Sequence, residues 1–132
     1  MKIKDIKAYE LLDSRGNPTV GVEVFLSDGS TGLALVPSGA STGKYEAIER
    51  RDSEKDRYLG KGVLDAVNSI HKEILPLLRE KDASDLFGND LIMVEADGTD
   101  TKRNFGANAI LGVSLACAKA AASSMKINLH EY

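Results

Sequence analysis

The sequence predicts an α+β fold, in which a three-stranded antiparallel meander is followed by a helical bundle. Three observations support this prediction. Apolar residues alternate in the first third of the chain, turn-forming residues separate these stretches, and apolar residues recur at helical spacing in the remainder. The 132 residues contain no repeat, low-complexity run or interdomain linker, and they suffice for one hydrophobic core. We therefore expect one domain over residues 1–132.

The strands are predicted from a period of two. Every second residue of Thr19–Leu26 is apolar from Val20 onward, which is typical of a half-buried strand. The Asp28-Gly29 pair predicts a type I′ hairpin turn, and Thr31–Val36 is the returning strand. Ile3–Leu12 is a further strand candidate, joined to the second strand by turn-forming residues. Consecutive strands with short connections indicate a meander.

Helices are predicted after the strands. A short candidate covers Tyr45–Arg51, and a longer one follows the apolar stripe from Val63 to Leu78. Pro76 has no amide proton and is expected to kink or loosen the last turn of that helix. A third candidate covers Asp85–Ala96, and Asp97-Gly98 is its predicted stop.

The fourth predicted helix runs from Ala107 to about Met125. Most of its side chains are small, so another layer can approach it closely. Its apolar part, residues 107–122, is interrupted by Asn108, Ser114 and Lys119. A membrane-spanning helix needs about 20 predominantly apolar residues, so we expect a buried helix in a soluble protein and no membrane partner.

Composition excludes several function classes. Seventeen Lys and Arg against twenty Asp and Glu give a net charge of −3, which argues against nucleic-acid binding. The single cysteine, Cys117, excludes an internal disulfide framework and a cysteine-rich zinc site. The N-terminal residues lack the apolar stretch of a secretory signal. A reducing compartment, and hence the cytoplasm, is the expected location.

The densest functional signal is the segment Val36-Pro-Ser-Gly-Ala-Ser-Thr-Gly-Lys44, which follows the third predicted strand. Little bulk and several oxygen donors suit a lid, or a loop that ligates a hard cation such as Mg²⁺. The candidate residues are Ser38, Gly39, Ala40, Ser41, Thr42 and Gly43. The alternative is an ordinary strand-to-helix loop with Ser41 or Thr42 as a helix N-cap. A P-loop is rejected because Gly39 and Gly43 enclose three residues and Tyr45 follows the lysine.

Other polar groups have simpler interpretations. His71 is expected to be solvated on a helix face, and Cys117 to be a small buried hydrophobe. The polar cluster at residues 13–17 either stabilises its turn or forms an interface ion pair. The alternating charges of residues 50–57 predict a solvated, salt-bridged surface. No acid–base pair or activated nucleophile is evident, so no catalytic residue is assigned in this chain.

Four segments together resemble one family closely, in the right order and over essentially the whole chain. They are residues 12–20, 36–43, 58–63 and 106–114, with the wording LDSRGNPTV, VPSGASTG, YLGKGV and GANAILGVS. This wording is similar to the N-terminal domain of enolases, the glycolytic phosphopyruvate hydratases. The resemblance implies the fold predicted above, for a domain that caps a much larger barrel.

The resemblance also implies a division of labour. The catalytic Lys base, the Glu acid and the main magnesium carboxylates belong to the barrel, which these 132 residues do not include, so we expect the chain alone to be inactive. The serine matching Ser41 would bind a second Mg²⁺ through its hydroxyl and carbonyl oxygens. Residues 38–43 would close over the substrate during the reversible dehydration of 2-phosphoglycerate to phosphoenolpyruvate.

Other functions compatible with the sequence are a free-standing binding or scaffold domain without catalysis, and an enolase-superfamily enzyme acting on a different acid. The enolase-like wording of residues 38–43 argues against the different acid. The resemblance further implies a homodimer or higher oligomer. Tyr9 and Gly21 stand where the family usually has Arg and Glu in ion pairs across the dimer interface. Their presence argues against that usual contact, or implies altered partner residues in the barrel.

Overall fold

The fold is a three-stranded antiparallel sheet followed by helices. The computed structural model describes residues 1–38 and 43–132. The strands are β1 (Ile3–Leu12), β2 (Pro18–Leu26) and β3 (Thr31–Leu35), and they pair in the order β1-β2-β3. The predicted α+β class and the meander are therefore confirmed. The second strand begins one residue earlier than predicted, and the third ends one residue earlier.

The turn between β2 and β3 differs from the predicted type I′ turn. Gly29 has a φ of 88°, whereas Asp28 does not have a positive φ. Gly29 N donates to Leu26 O at 3.1 Å, and Leu26 N donates to Ser30 O at 2.9 Å. This is a three-residue loop in which a type I turn leads into a left-handed glycine. The turn between β1 and β2 is of the same kind, with Gly16 as the left-handed glycine at a φ of 77°.

Within residues 43–132, the helical part contains a short 3-10 helix (Tyr58–Gly60), one interrupted helix and two regular ones. The interrupted helix consists of α1 (Leu64–Ser69), a π-helical turn (Ile70–Ile74) and α2 (Leu75–Leu78). Pro76 lies at the start of α2, so its missing amide proton accounts for an irregularity one turn earlier than predicted.

The two regular helices are α3 (Leu86–Asp97) and α4 (Ala107–Met125). The Asp85 side chain accepts a hydrogen bond from Gly88 N and caps α3, which begins and ends one residue later than predicted. The bounds of α4 agree with the prediction.

The predicted helix over Tyr45–Arg51 is wrong. Residues 44–46 form a turn, and residues 47–52 are irregular. The main chain of Ile48 bonds instead to distant segments: its N–H donates to Thr101 O, and its carbonyl accepts from Ala107 N, both at 2.8 Å. A helix would need these groups for its own hydrogen bonds, so the tertiary pairing excludes it.

The core lies between the sheet and α4. A Cβ added to Gly32 of β3 would overlap Ala116 O and Ala120 N, so the predicted close approach of the small-residue helix is confirmed. Cys117 is fully buried, as predicted, and burial raises the pKa of its thiol to about 12. Within the described residues, no helix is both long and apolar enough to cross a membrane. The largest fully buried side chains of the sheet are Ile3, Ile6, Val20, Val22 and Val24.

The outer face of the sheet is left uncovered by the helices. Tyr9 and Gly21, the two departures from the family pattern, are directly paired neighbours on β1 and β2. A Cβ on Gly21 would lie 2.6 Å from Leu11 Cδ1. Leu33 and Leu35 are half exposed on the adjacent strand. Around Gly21 this face is therefore apolar, and Glu23, which accepts from the Tyr9 hydroxyl at 3.4 Å, lies two residues further along β2.

Candidate functional site

The candidate segment begins at a firmly held strand end. Val36 N donates to Val20 O at 2.9 Å, and Thr19 Oγ1 donates to Val36 O at 2.5 Å. Ser38 and Gly43 are described by the structure, whereas the predicted site residues Gly39, Ala40, Ser41 and Thr42 lie outside the described residues. The metal-ligand role of Ser41 stays a prediction. The alternative role of Ser41 or Thr42 as an N-cap required a helix over residues 45–51, and these residues are not helical.

Ser38 is part of a closed ring of polar contacts. Its hydroxyl lies 3.0 and 3.2 Å from the two carboxylate oxygens of Glu49. Arg51 Nη2 donates to Ser38 Oγ at 2.9 Å and to Glu49 Oε2 at 3.0 Å. The Ser38 hydroxyl therefore donates to an anion while it accepts from a cation, which are charge-assisted hydrogen bonds.

Arg51 also reaches the body of the domain. Its Nη1 donates to Pro18 O at 2.5 Å and to Lys61 O at 2.8 Å. The guanidinium thus connects the start of the candidate segment with the start of β2 and with residues 58–63. Only 24% of the Arg51 side chain is exposed, so the prediction of a solvated surface for residues 50–57 is wrong at this position.

Sequence reasoning missed Glu49 and Arg51, and no local pattern could have found them. The acceptors of Arg51 include two main-chain carbonyls that lie 33 and 10 residues away in sequence. Every residue has a main-chain carbonyl, so residue types do not indicate which carbonyls Arg51 binds. The one available signal was that residues 58–63, which supply the second carbonyl, resemble the family in sequence.

Arg50 joins the irregular stretch 47–52 to the helices. Its main-chain N–H donates to Asn108 Oδ1 at 3.0 Å, and its carbonyl accepts from Asn108 Nδ2 at 3.1 Å. Its Nη1 donates to Ser69 Oγ at 2.7 Å. A Cβ on Gly106 would overlap Arg50, which accounts for both Gly106 and Asn108 in the family-like segment 106–114.

Asp52 caps α1 from outside the helix. Its two carboxylate oxygens accept from Leu64 N at 3.0 Å and from Asp65 N at 2.8 Å. Amide groups at a helix start have no partner within the helix, so a distant carboxylate satisfies them here. A second residue of the charged run 50–57 is therefore structural rather than simply solvated.

Arg57, the last residue of that run, is paired with Glu10 of β1. Its Nη1 donates to Glu10 Oε2 at 2.8 Å, and its Nη2 contacts Oε1. Val63 N donates to the same carboxylate at 2.9 Å. The hydrogen bond from Arg57 holds the pKa of Glu10 below its usual value, against the opposing effect of burial.

The remaining polar candidates have structural partners. Asp13 Oδ1 accepts from Arg15 N at 2.8 Å and from Asn17 N at 2.9 Å, which confirms the turn-stabilising interpretation. The hydrogen bond from Asn17 lowers the pKa of Asp13. His71 is exposed, as predicted, but its Nε2 also accepts from Ala8 N at 2.9 Å. It therefore holds the edge of β1 and is more than a solvated side chain.

A cleft of about 610 Å³ lies beside the candidate segment. Both cationic and anionic side chains line it, together with apolar ones; they include Val36, Lys44, Glu49, Arg51, Asn108 and Leu111. Across residues 1–38 and 43–132, no three His, Cys, Asp or Glu side chains come together as metal ligands.

A comparison with known protein families agrees with this arrangement. The family described as "Enolase, N-terminal domain" matches residues 3–132. The match covers nearly the whole chain, including the three strands, the candidate segment and the helices. The chain belongs to the enolase N-terminal domain family.

Proposed function

We propose that this domain supplies the active-site lid of an enolase, which interconverts 2-phosphoglycerate and phosphoenolpyruvate in glycolysis. The family match over residues 3–132 carries the proposal. The anchored start of segment 38–43 and the adjacent cleft support it, because a lid needs a fixed base and a space to cover. We propose the cytoplasm as the location, in keeping with a glycolytic role and with the unpaired, buried Cys117.

The lid role assigns separate tasks to the residues of the segment. Residues 38–43 would lie over bound substrate and exclude water from it. Ser41 would offer its hydroxyl and carbonyl oxygens to a second Mg²⁺. When bound, the metal would neutralise charge that develops on the substrate carboxylate as the adjacent proton is removed, as is general for enolase-superfamily sites.

Ser41 would be an auxiliary ligand. Two neutral oxygens give Mg²⁺ little charge compensation, and a stable Mg²⁺ site normally includes carboxylates or substrate phosphates. These would come from the substrate and from a barrel domain, which would also hold the groups that move the proton. The second metal site would therefore form together with substrate binding.

We also propose that the full protein is a homodimer or higher oligomer whose contact at Tyr9 and Gly21 is apolar. The resemblance implies charged residues at these positions that pair across the interface, whereas here Gly21 lies beside Leu11 and Leu35, and Tyr9 donates its hydroxyl to Glu23 on the same face. Sedimentation velocity of the full protein would show a smaller species for Leu33→Asp than for the wild type. An unchanged oligomer in that variant would contradict the apolar contact.

The lid role is tested by replacing the N-terminal domain of an active enolase with residues 1–132. The chimera should form phosphoenolpyruvate from 2-phosphoglycerate in the presence of Mg²⁺, followed by absorbance. The barrel without an N-terminal domain is the control. A folded chimera no faster than that barrel would contradict the enolase assignment and favour a binding or scaffold domain.

A further inference from the structure

We propose that Arg51 is a positioning residue that sets where the lid segment 38–43 leaves the body of the domain. It acts through the Ser38 hydroxyl and the Glu49 carboxylate. The effect on the reaction rests on the proposed function, whereas the effect on the segment does not.

The first step concerns the base of the segment. Ser38 is held by Arg51 Nη2 at 2.9 Å and by Glu49 at 3.0 and 3.2 Å. Because Arg51 also bonds Glu49, at 3.0 Å, the three side chains fix one another. Removal of the guanidinium takes away the cation that donates to the Ser38 hydroxyl.

The second step concerns the anchor of Arg51. Nη1 donates to the carbonyls of Pro18 and Lys61 while Nη2 donates to Ser38, so both terminal nitrogens hold the plane of the guanidinium. Pro18 is fully buried, so its carbonyl is a fixed acceptor for Arg51. A lysine carries the same charge but lacks the planar fork of donors that serves both sides at once. The geometry therefore requires arginine and not merely a positive charge.

The third step supplies a matched control within the chain. Arg57 forms a comparable ion pair with Glu10, which also accepts from Val63 N. Arg57 also lies 3.9 Å from the Asp52 carboxylate, but within the described residues no hydrogen bond or ion pair joins it to Ser38 or Arg51. Arg57→Gln should therefore lower the stability of the domain without changing the base of the lid.

The segment is tested on the 132-residue chain by limited proteolysis. Lys44 is exposed directly after the segment, so trypsin cleavage at its carbonyl side reports local opening. Each cleavage rate is corrected for the unfolding equilibrium of its variant. After this correction, Arg51→Gln and Arg51→Lys should both be cleaved about tenfold faster than the wild type. This factor corresponds to the loss of one charge-assisted contact. Arg57→Gln should match the wild type.

Equal corrected rates for Arg51→Gln and Arg57→Gln would overturn the proposal. A rate for Arg51→Lys equal to that of the wild type would overturn the requirement for a guanidinium. Neither outcome depends on magnesium, substrate or catalysis.

The effect on the reaction is tested in the chimera with the enolase barrel. Arg51→Lys should raise the Mg²⁺ concentration for half-maximal rate several-fold and lower kcat/KM, with the pH profile unchanged, and Arg57→Gln should leave these values unchanged. Faster cleavage at Lys44 with an unaltered Mg²⁺ requirement would overturn the link to the reaction. An inactive wild-type chimera would reject the proposed function, while the proteolysis still decides the role of Arg51.

Discussion

At the scale of single residues, buried carboxylates and amides join the loops of this domain to its helices and strands. Asp97 is an example at the end of α3: its carboxylate accepts from Phe105 N at 2.8 Å and from Thr99 N at 3.1 Å. Burial alone would raise the pKa of Asp97, but these hydrogen bonds hold it below its usual value. Such groups fix the loops on which the candidate site depends.

Ser41→Ala tests the metal-ligand prediction in the chimera. The substitution removes the hydroxyl and leaves the carbonyl, so the second Mg²⁺ site should be weakened rather than abolished. A charge-assisted contact is worth about 1.5–3 kcal/mol, so kcat/KM should fall by roughly 10- to 150-fold and the Mg²⁺ requirement should rise. The Tm should hardly change. A lower Tm with unchanged kinetics would reject the ligand role.

Glu10→Gln tests the ion pair with Arg57 through its pH dependence. Because the folded-state pKa of Glu10 is lowered, its contribution to stability is present above the ordinary carboxyl pKa of about 4.3 and is lost as the pH falls. We expect a loss of about 1 kcal/mol at pH 7 that shrinks below about pH 4. Urea unfolding at a series of pH values measures it.

The matched control for Glu10→Gln is Glu54→Gln, at an exposed position. This control should change stability by less than about 0.5 kcal/mol at pH 7. A Glu10→Gln effect that stayed constant between pH 7 and pH 3 would show that packing, rather than charge, accounts for the loss.

At the scale of elements, the contact between α4 and the sheet is made almost backbone to backbone. Gly112 of α4 lies against β2, where an added Cβ would come within 2.7 Å of Val22 Cγ2. Gly32 of β3 lies against the helix backbone itself. The small residues of α4 are thus required by distance and not only by hydrophobicity, because any extra carbon must push the two layers apart.

Gly32→Ala should destabilise the domain by about 2–3 kcal/mol, since the methyl group would overlap main-chain atoms that cannot rotate away. Urea unfolding at pH 7 measures the loss. Gly16→Ala is the comparison, because its site is open and only its positive φ of 77° opposes a side chain, at about 1 kcal/mol. Equal losses for the two variants would contradict the overlap.

At the scale of the whole molecule, the helices cover one face of the sheet, and the candidate segment leaves the end of β3 beside the cleft. The side-chain partners of Ser38, Glu49 and Arg51, come from the irregular stretch that crosses to the helices. The described structure thus fixes the start of this segment at Ser38, as the proposed lid role requires. The catalytic groups expected of an enolase would have to come from the barrel.

The isolated chain should therefore show no phosphopyruvate hydratase activity. The measurement is phosphoenolpyruvate absorbance with Mg²⁺ and 2-phosphoglycerate, using an intact enolase as the positive control. Activity that persisted through purification and followed the 14.2 kDa species would contradict this expectation. It would mean that proton transfer can be performed by residues of this domain.

The sequence by itself determined the strands, the bounds of α4, the burial of Cys117 and the family. Each depends on a local period of burial or on residue types that a chain displays directly. The course of residues 45–51 was decided only by the tertiary structure, because Ile48 pairs with main-chain groups 53 and 59 residues away. The turn at Gly29 was also misjudged, since one left-handed glycine sufficed where two positive φ values were expected.

The candidate site divides in the same way. The segment 36–44 was visible in the sequence through its glycines and hydroxyls, and the role of Ser41 came from the resemblance alone. The Arg51 anchor was not visible, because its alternating charged surroundings are typical of a solvated face. Its acceptors at Pro18 and Lys61 are main-chain carbonyls, which any residue provides. Only folding brings such groups together, so the tertiary structure alone decided what holds the start of the candidate segment.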